Sequence, residues 1–208
     1  AVLLPALGVL CAVVATTFVR TYFGVERVVR SGRISQRWAP WLGGAAVGIL
    51  VFLTAGAVAG DGHIAAPLSL FGRLPWWTLL ALAGAKILAT SITLNSGGSG
   101  GVFTPALFVG AATGGAFGAL ASSALPGLGI DPALYALAGM GAMVAGATGA
   151  PITGILLVFE MTHDFALVMP LMLAVVACKL VMRRYERDSL YSGWLRRRHL
   201  DLARDDTG

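Results

Sequence analysis

Long apolar runs separated by short glycine, proline or charged breaks set the pattern of this chain. Uncharged stretches cover Ala1 to Val19, Trp41 to Gly60, Gly101 to Ile130 and Pro132 to Phe159. Pro75 to Leu94 is interrupted only by Lys86, and Phe165 to Cys178 is a shorter run that Lys179 and Arg183 extend by snorkelling. A helix needs about 17 to 25 apolar residues to cross a hydrocarbon core, so these runs predict membrane helices throughout. The two longest runs exceed one crossing and are expected to break into shorter pieces.

The breaks differ in kind. Pro126 to Pro132 and Arg73 to Pro75 pair proline with glycine or charge and read as interfacial turns. The breaks between Leu94 and Leu107, and around Gly146 to Gly154, are closely flanked by apolar sequence. Lipid cannot satisfy exposed N–H and C=O groups, so non-helical backbone at that depth must be buried in protein or line a wet cavity.

Composition agrees with this pattern. The chain is 57% hydrophobic and 12% charged, with mean hydropathy +0.80, which excludes an ordinary soluble domain. Arg20, Arg27, Arg30, Arg33 and Arg37 fill a first linker, and Lys179, Arg183, Arg184, Arg187, Arg196, Arg197 and Arg198 fill the C-terminal region. These clusters abut membrane spans, so nucleic acid is not the expected partner. Charge bias would put both clusters on the cytoplasmic side. Cys11 and Cys178 lie in apolar runs and read as packing residues. The chain starts at Ala1 inside an apolar run with no cleavage-site signature, and reads as a piece of a longer protein.

The stretch "NSGGSGGVFTPALFVGAATGGAFG", Asn95 to Gly118, carries the candidate chemistry. If a helix starts near Pro105, its first-turn N–H groups lack partners and its dipole adds roughly half a positive charge there. Proline costs nothing in a first turn, and Gly100 and Gly101 let backbone amides converge on one small anion. Such a cradle binds without formal charge, strongly enough to replace hydration and weakly enough to release. A glycine-rich kink that only lets helices pack remains the alternative. Gly110, Gly114 and Gly118, spaced by four, read as a packing face.

"SGGSGGVFTPALFVGAATGGAFG" resembles the G-x-F-x-P region of the CLC chloride channel and transporter family, here Gly101, Val102, Phe103, Thr104 and Pro105. "LAGMGAMVAGATGAPITGILLVFEMT", Leu137 to Thr162, resembles the block that follows it, and "DSLYSGWL" resembles the segment bearing that family's inner-gate tyrosine. The resemblance runs in order from about Trp41 to Trp194 and extends to the first helix. It implies an all-α integral membrane protein of CLC-type fold, with this chain as the second inverted repeat, containing broken and re-entrant helices.

The resemblance also implies transport of chloride or a similar monovalent anion, with protons as a candidate coupled ion, through amides of Val102 and Phe103 and the hydroxyl of Tyr191. Gly100, Gly101 and Pro105 form the loop around those amides. The family's serine loop, gating-glutamate loop and proton-transfer glutamate do not occur here, so the chain is not expected to conduct alone. No catalytic residue, metal or cofactor is expected, and no CBS domains follow. Residues 1–40 read as a helix and basic linker ending the first repeat, 41–184 as second-repeat helices, and 185–208 as a C-terminal helix and tail.

A bacterial inner membrane and a homodimer are implied, its faces drawn from Ala1 to Val19, Pro151 to Phe159 and Ala166 to Val181. An inverted repeat would put the Arg20 to Arg37 linker and the C-terminus on opposite faces, against the charge bias; the resemblance is followed. Lys86 reads as structural, Glu160 as a cap or ion-pair member, and His163 with Asp164 as a polar turn. The rival from another class is a rhomboid-like intramembrane serine protease using Ser99 of "GGSGG". It needs a histidine base, and His63, His163 and His199 are poorly placed for that role.

Overall fold

The computed structural model describes residues 3–31, 37–59, 74–185, 189–191 and 193. Arg33, Arg73, Arg187, Arg196, Arg197, Arg198, His63, His199 and Trp194 lie outside the described residues, as does most of the 185–208 segment. All regular structure among the described residues is helical: α1 Leu3–Arg30, α2 Ala39–Leu53, α3 Trp76–Asn95, α4 Phe103–Ala124, α5 Pro132–Thr148, α6 Pro151–Thr162 and α7 Val168–Tyr185. Short 3₁₀ turns lie at Pro126–Leu128 and Phe165–Leu167.

Length sorts these helices. Leu3–Arg30, Trp76–Asn95, Phe103–Ala124 and Phe165–Arg184 are long and apolar enough to cross a membrane. With 15, 17 and 12 residues, α2, α5 and α6 are apolar but short. At about 1.5 Å per residue none reaches the roughly 30 Å of a hydrocarbon core. Of the two longest uncharged runs, the second is divided, at Gly149 and Ala150, whereas the first holds one spanning helix, α4, and runs out in the turn from Leu125 that Asp131 closes. Gly149 ends α5 in the left-handed region at φ +84°, and Pro151 opens α6 at its first position.

Two boundaries differ from the apolar runs. α1 does not end at Val19: it continues through Arg20, Arg27 and Arg30, which are helical residues rather than a linker. The inward face that includes Phe18 and Val19 continues past the apolar limit at Phe23 and Glu26, so it persists where the hydropathy falls. Arg27 and Arg30 complement the negative end of the helix dipole, and the Arg30 guanidinium pairs with Glu26 one turn back at 3.2 Å. At the other boundary α2 ends at Leu53 rather than Gly60. Ala55, at φ +48°, donates to Phe52 O at 3.1 Å and Gly56 donates to Val51 O at 2.8 Å, a Schellman closure.

The core is built where α5 meets α4, α1 and α7. Leu7, Cys11, Ala15 and Phe18 of α1, Met140, Met143 and Val144 of α5, and Leu171, Val175 and Cys178 of α7 are all buried. The two cysteines are thus packing residues, as their apolar setting predicts. Glycine sets the closeness: a Cβ on Gly146 would lie 2.8 Å from the Ala15 Cβ and 3.1 Å from the Cys178 Sγ. The main apolar face of α1 is buried inside the chain, leaving Val9 and Val13 outward. Exposed apolar surface lies on α6, α7 and the turn between them, through Ile152, Leu156, Phe165, Met169 and Val176, and on α2, through Trp41, Ile49, Phe52 and Leu53.

Candidate functional site

The break between α3 and α4 is made by local chemistry. Gly97, at φ +94°, turns the chain after the Ser96 cap, and the Gly98 N–H donates to Thr93 O at 3.0 Å. A Cβ on Gly98 would lie 2.9 Å from that same carbonyl, so this glycine is required by packing. Gly101 is different. It has no positive φ, and a Cβ there would meet nothing within 4 Å. Neither conformation nor packing demands glycine at 101; its absence of side chain leaves open space beside the backbone.

Val102 then caps α4, with φ −97° and ψ −29° and no side-chain hydrogen bond. Its carbonyl accepts from Ala106 at 3.0 Å, which starts the helical ladder. The first-turn N–H groups have no carbonyl one turn earlier to bond, and Pro105 in that turn has no N–H to leave stranded. The sequence therefore delivers a charge-free, positively polarised helix start beside a backbone without side chains.

The tyrosine arrives from the far end of the chain. Ser189 packs against the α5–α6 break, where a Cβ on Gly149 would lie 3.1 Å from both its Cβ and its Oγ. Gly193 N–H donates to Ser189 O at 2.9 Å, forming a helical turn that presents Tyr191. The Tyr191 and Phe103 rings lie with centroids 6.1 Å apart, tilted by 38°. Val102 and Tyr191, with Tyr22 and Leu190, line a cavity of about 230 Å³. Three residues singled out from sequence, Val102, Phe103 and Tyr191, are thus brought together from positions nearly ninety apart.

Gly100, Gly101 and Pro105 line a different cavity, of about 220 Å³. Lys86 also lines it, only 3% exposed, with its ammonium donating to Val58 O at 3.0 Å and lying 5.4 Å from the Phe108 ring centre. That hydrogen bond ties α3 to the turn after α2, in keeping with the structural role read from sequence. Gly100, Gly101 and Pro105 thus line one cavity and Val102 with Tyr191 another, a division that spacing alone could not supply. Tyr22 was missed altogether: it is a half-buried aromatic on α1, and only the fold brings it to Tyr191.

The remaining polar residues take structural places. His163 ends α6 at φ +52°, and Asp164 caps the next turn by accepting from Ala166 N at 2.9 Å. Among the described residues no hydrogen bond joins Ser99 to a histidine, and His163, the one histidine described, is occupied in ending α6. Thr148 donates to Val144 O at 2.7 Å and accepts from Ala150 N at 3.4 Å, holding the second break.

Comparisons with known proteins fit this geometry. The voltage gated chloride channel family model matches residues 1–183, so the likeness includes all of α1 and stops short of Tyr191, whose place rests on the geometry above. A putative chloride channel protein ClcB-like of Ralstonia nicotianae is 38% identical over 175 residues, 84% of this chain and 39% of that protein. The H(+)/Cl(-) exchange transporter ClcA of Cronobacter sakazakii is 34% identical over 195 residues, 92% of this chain and 42% of that protein. The chain spans about two fifths of the length of these curated relatives.

Among solved structures, a slow cyanobacterial Cl-/H+ antiporter superposes with a TM-score of 0.80 at 26% identity, covering 97% of this chain and 48% of that one. A eukaryotic CLC transporter shares the fold with a TM-score of 0.74 at 23% identity, covering 95% of this chain and 35% of that one. With the family model matched along almost the whole chain, and its helices in the same arrangement, this protein belongs to the voltage-gated chloride channel, or CLC, family.

Proposed function

We propose that this chain forms one wall of a transmembrane path for chloride or a similar small monovalent anion in the full-length protein. The observation that carries the reading is the meeting of Tyr191 with the uncapped start of α4 around one cavity. The amide N–H groups of Val102 and Phe103 hold the anion from one side, and the Tyr191 hydroxyl donates a hydrogen bond from the other. None of these donors carries full charge, so binding replaces hydration without trapping the ion. Gly100, Gly101 and Pro105 keep the loop backbone open behind those amides. Helix starts aimed at a bound anion are a recurring device of transporters with broken helices.

Exchange of the anion against protons is supported by two relatives named as a proton/chloride exchanger and antiporter, beside one named as a putative chloride channel. The exposed apolar faces of α6 and α7 suit contact with lipid or with a second copy in a homodimer, and a bacterial inner membrane fits the bacterial relatives. To test the reading, the full-length protein is reconstituted in vesicles and chloride efflux and proton movement are recorded for wild type, Tyr191→Phe and Tyr191→Ala. Weaker chloride affinity or lost proton coupling in both variants supports it. Unchanged flux, affinity and coupling in Tyr191→Ala would remove Tyr191 from the path.

A further inference from the structure

Tyr22 lines not only the Tyr191 cavity but also a second one, of about 220 Å³, between the end of α1 and the end of α3. Glu26, Val29 and Arg30 of α1 form one side of this second cavity, and Asn95 and Gly97 form the other. Tyr22, Glu26 and Arg30 are spaced by four, so a single helix face runs from the tyrosine cavity to the arginine. The wall opposite is fixed: the Asn95 amide donates to Tyr22 O at 3.1 Å and to Ser91 O at 2.9 Å. Glu26 is buried, whereas the side chain of Arg30 is 65% exposed and pairs with it at 3.2 Å.

We propose that the Glu26–Arg30 cavity is the charged antechamber of the anion path, with Tyr22 as the partition between it and the Tyr191 cavity. The inference rests on the anion-transport reading and adds an entry route and the residues that set its charge. Arg30 offers a solvent-exposed positive end that draws anions from solution. Glu26, held against it, offsets part of that field, so the mouth concentrates anions without storing them. A charge in a confined, low-dielectric mouth changes local ion concentration by roughly tenfold or more, and the effect fades as salt screens it.

The test places a charge at the mouth after folding. Val29→Cys in the reconstituted full-length protein is labelled with a negatively charged methanethiosulfonate or with a positively charged one of similar size. Cys11 and Cys178 are fully buried, and labelled wild type gives the background. At low ionic strength, the negative label is expected to cut chloride flux at least threefold relative to the positive one, the gap closing at high salt. Arg30→Gln, at an exposed side chain, should lower flux in the same salt-dependent way. Equal effects of the two labels, no effect of either, or no labelling at position 29 by mass would overturn the antechamber while leaving the Tyr191 path standing. A wild type without any chloride flux would bring down both.

Discussion

Two glycine-rich regions sit within a few turns of each other and use glycine for opposite ends. Along the α4–α5 seam, a Cβ on Gly110 would strike the carbonyl of Gly139, one on Gly114 would strike the carbonyl of Tyr135, and one on Gly118 would lie 2.8 Å from the Pro132 Cα. A Cβ on Gly139 would in turn strike the carbonyl of Gly110. Here the missing side chains let two backbones touch, which substitutes for hydrophobic driving force inside a membrane. At Gly101, in the loop just before α4, an added Cβ meets nothing. There the missing side chain leaves room. Composition cannot separate the two uses; what lies within 4 Å can.

The largest test of this contrast is Gly114→Leu. A side chain forced between two backbones already in contact overpacks the seam, costing about 3 kcal/mol or more, and should appear as loss of monodisperse protein or a much lower Tm in detergent. Recovery of wild-type Tm would mean that the seam is loose. Gly110→Ala and Gly139→Ala come next, each expected to cost about 1–3 kcal/mol. Because each residue faces the other's carbonyl, the double variant should cost less than the sum by at least about 0.5 kcal/mol in a thermal-unfolding cycle. Strict additivity would show that the two glycines do not share one contact.

Gly149→Ala lies between the two regimes, since it requires a positive φ and also seats Ser189. It should cost about 1–2 kcal/mol of stability and, by displacing the Tyr191 segment, also weaken anion affinity. A stability loss with unaltered affinity would separate Tyr191 from the second break. The smallest effect on folding belongs to Gly101→Ala, expected to leave stability within about 0.5 kcal/mol. A Tm lowered as far as in the seam variants would erase the distinction drawn here.

Much of the helical order was legible because uncharged runs report removal from water directly, whether into lipid or, as for α4 and α5, into the core. Gly110, Gly114 and Gly118 were readable as a seam because spacing by four fixes one helix face in any context. The continuation of α1 was hidden because hydropathy falls at Arg20 while the pattern of inward positions does not, and two arginines at a helix end are stable where two inside a span are not. The early end of α2 hung on a left-handed Ala55, which no apolar count reveals.

The start of α4 was legible from Gly-Val-Phe-Thr-Pro because proline and uncapped amides are local features. The meeting of Tyr191 with Phe103 was reached through family resemblance. The part played by Tyr22 was not legible at all, since nothing in its neighbourhood of sequence marks a residue that comes to line a cavity with Tyr191.

The account centres on backbone N–H groups at the start of α4, and one atom can be changed to test it. Replacing the Phe103 amide by an ester in the full-length protein removes a single N–H that the helix does not use. Chloride binding measured by calorimetry should weaken about tenfold while the Tm stays within a few degrees, since a hydrogen bond to a charged partner contributes about 1.5–3 kcal/mol. Wild-type chloride affinity in the ester variant would contradict the claim that these amides hold the anion.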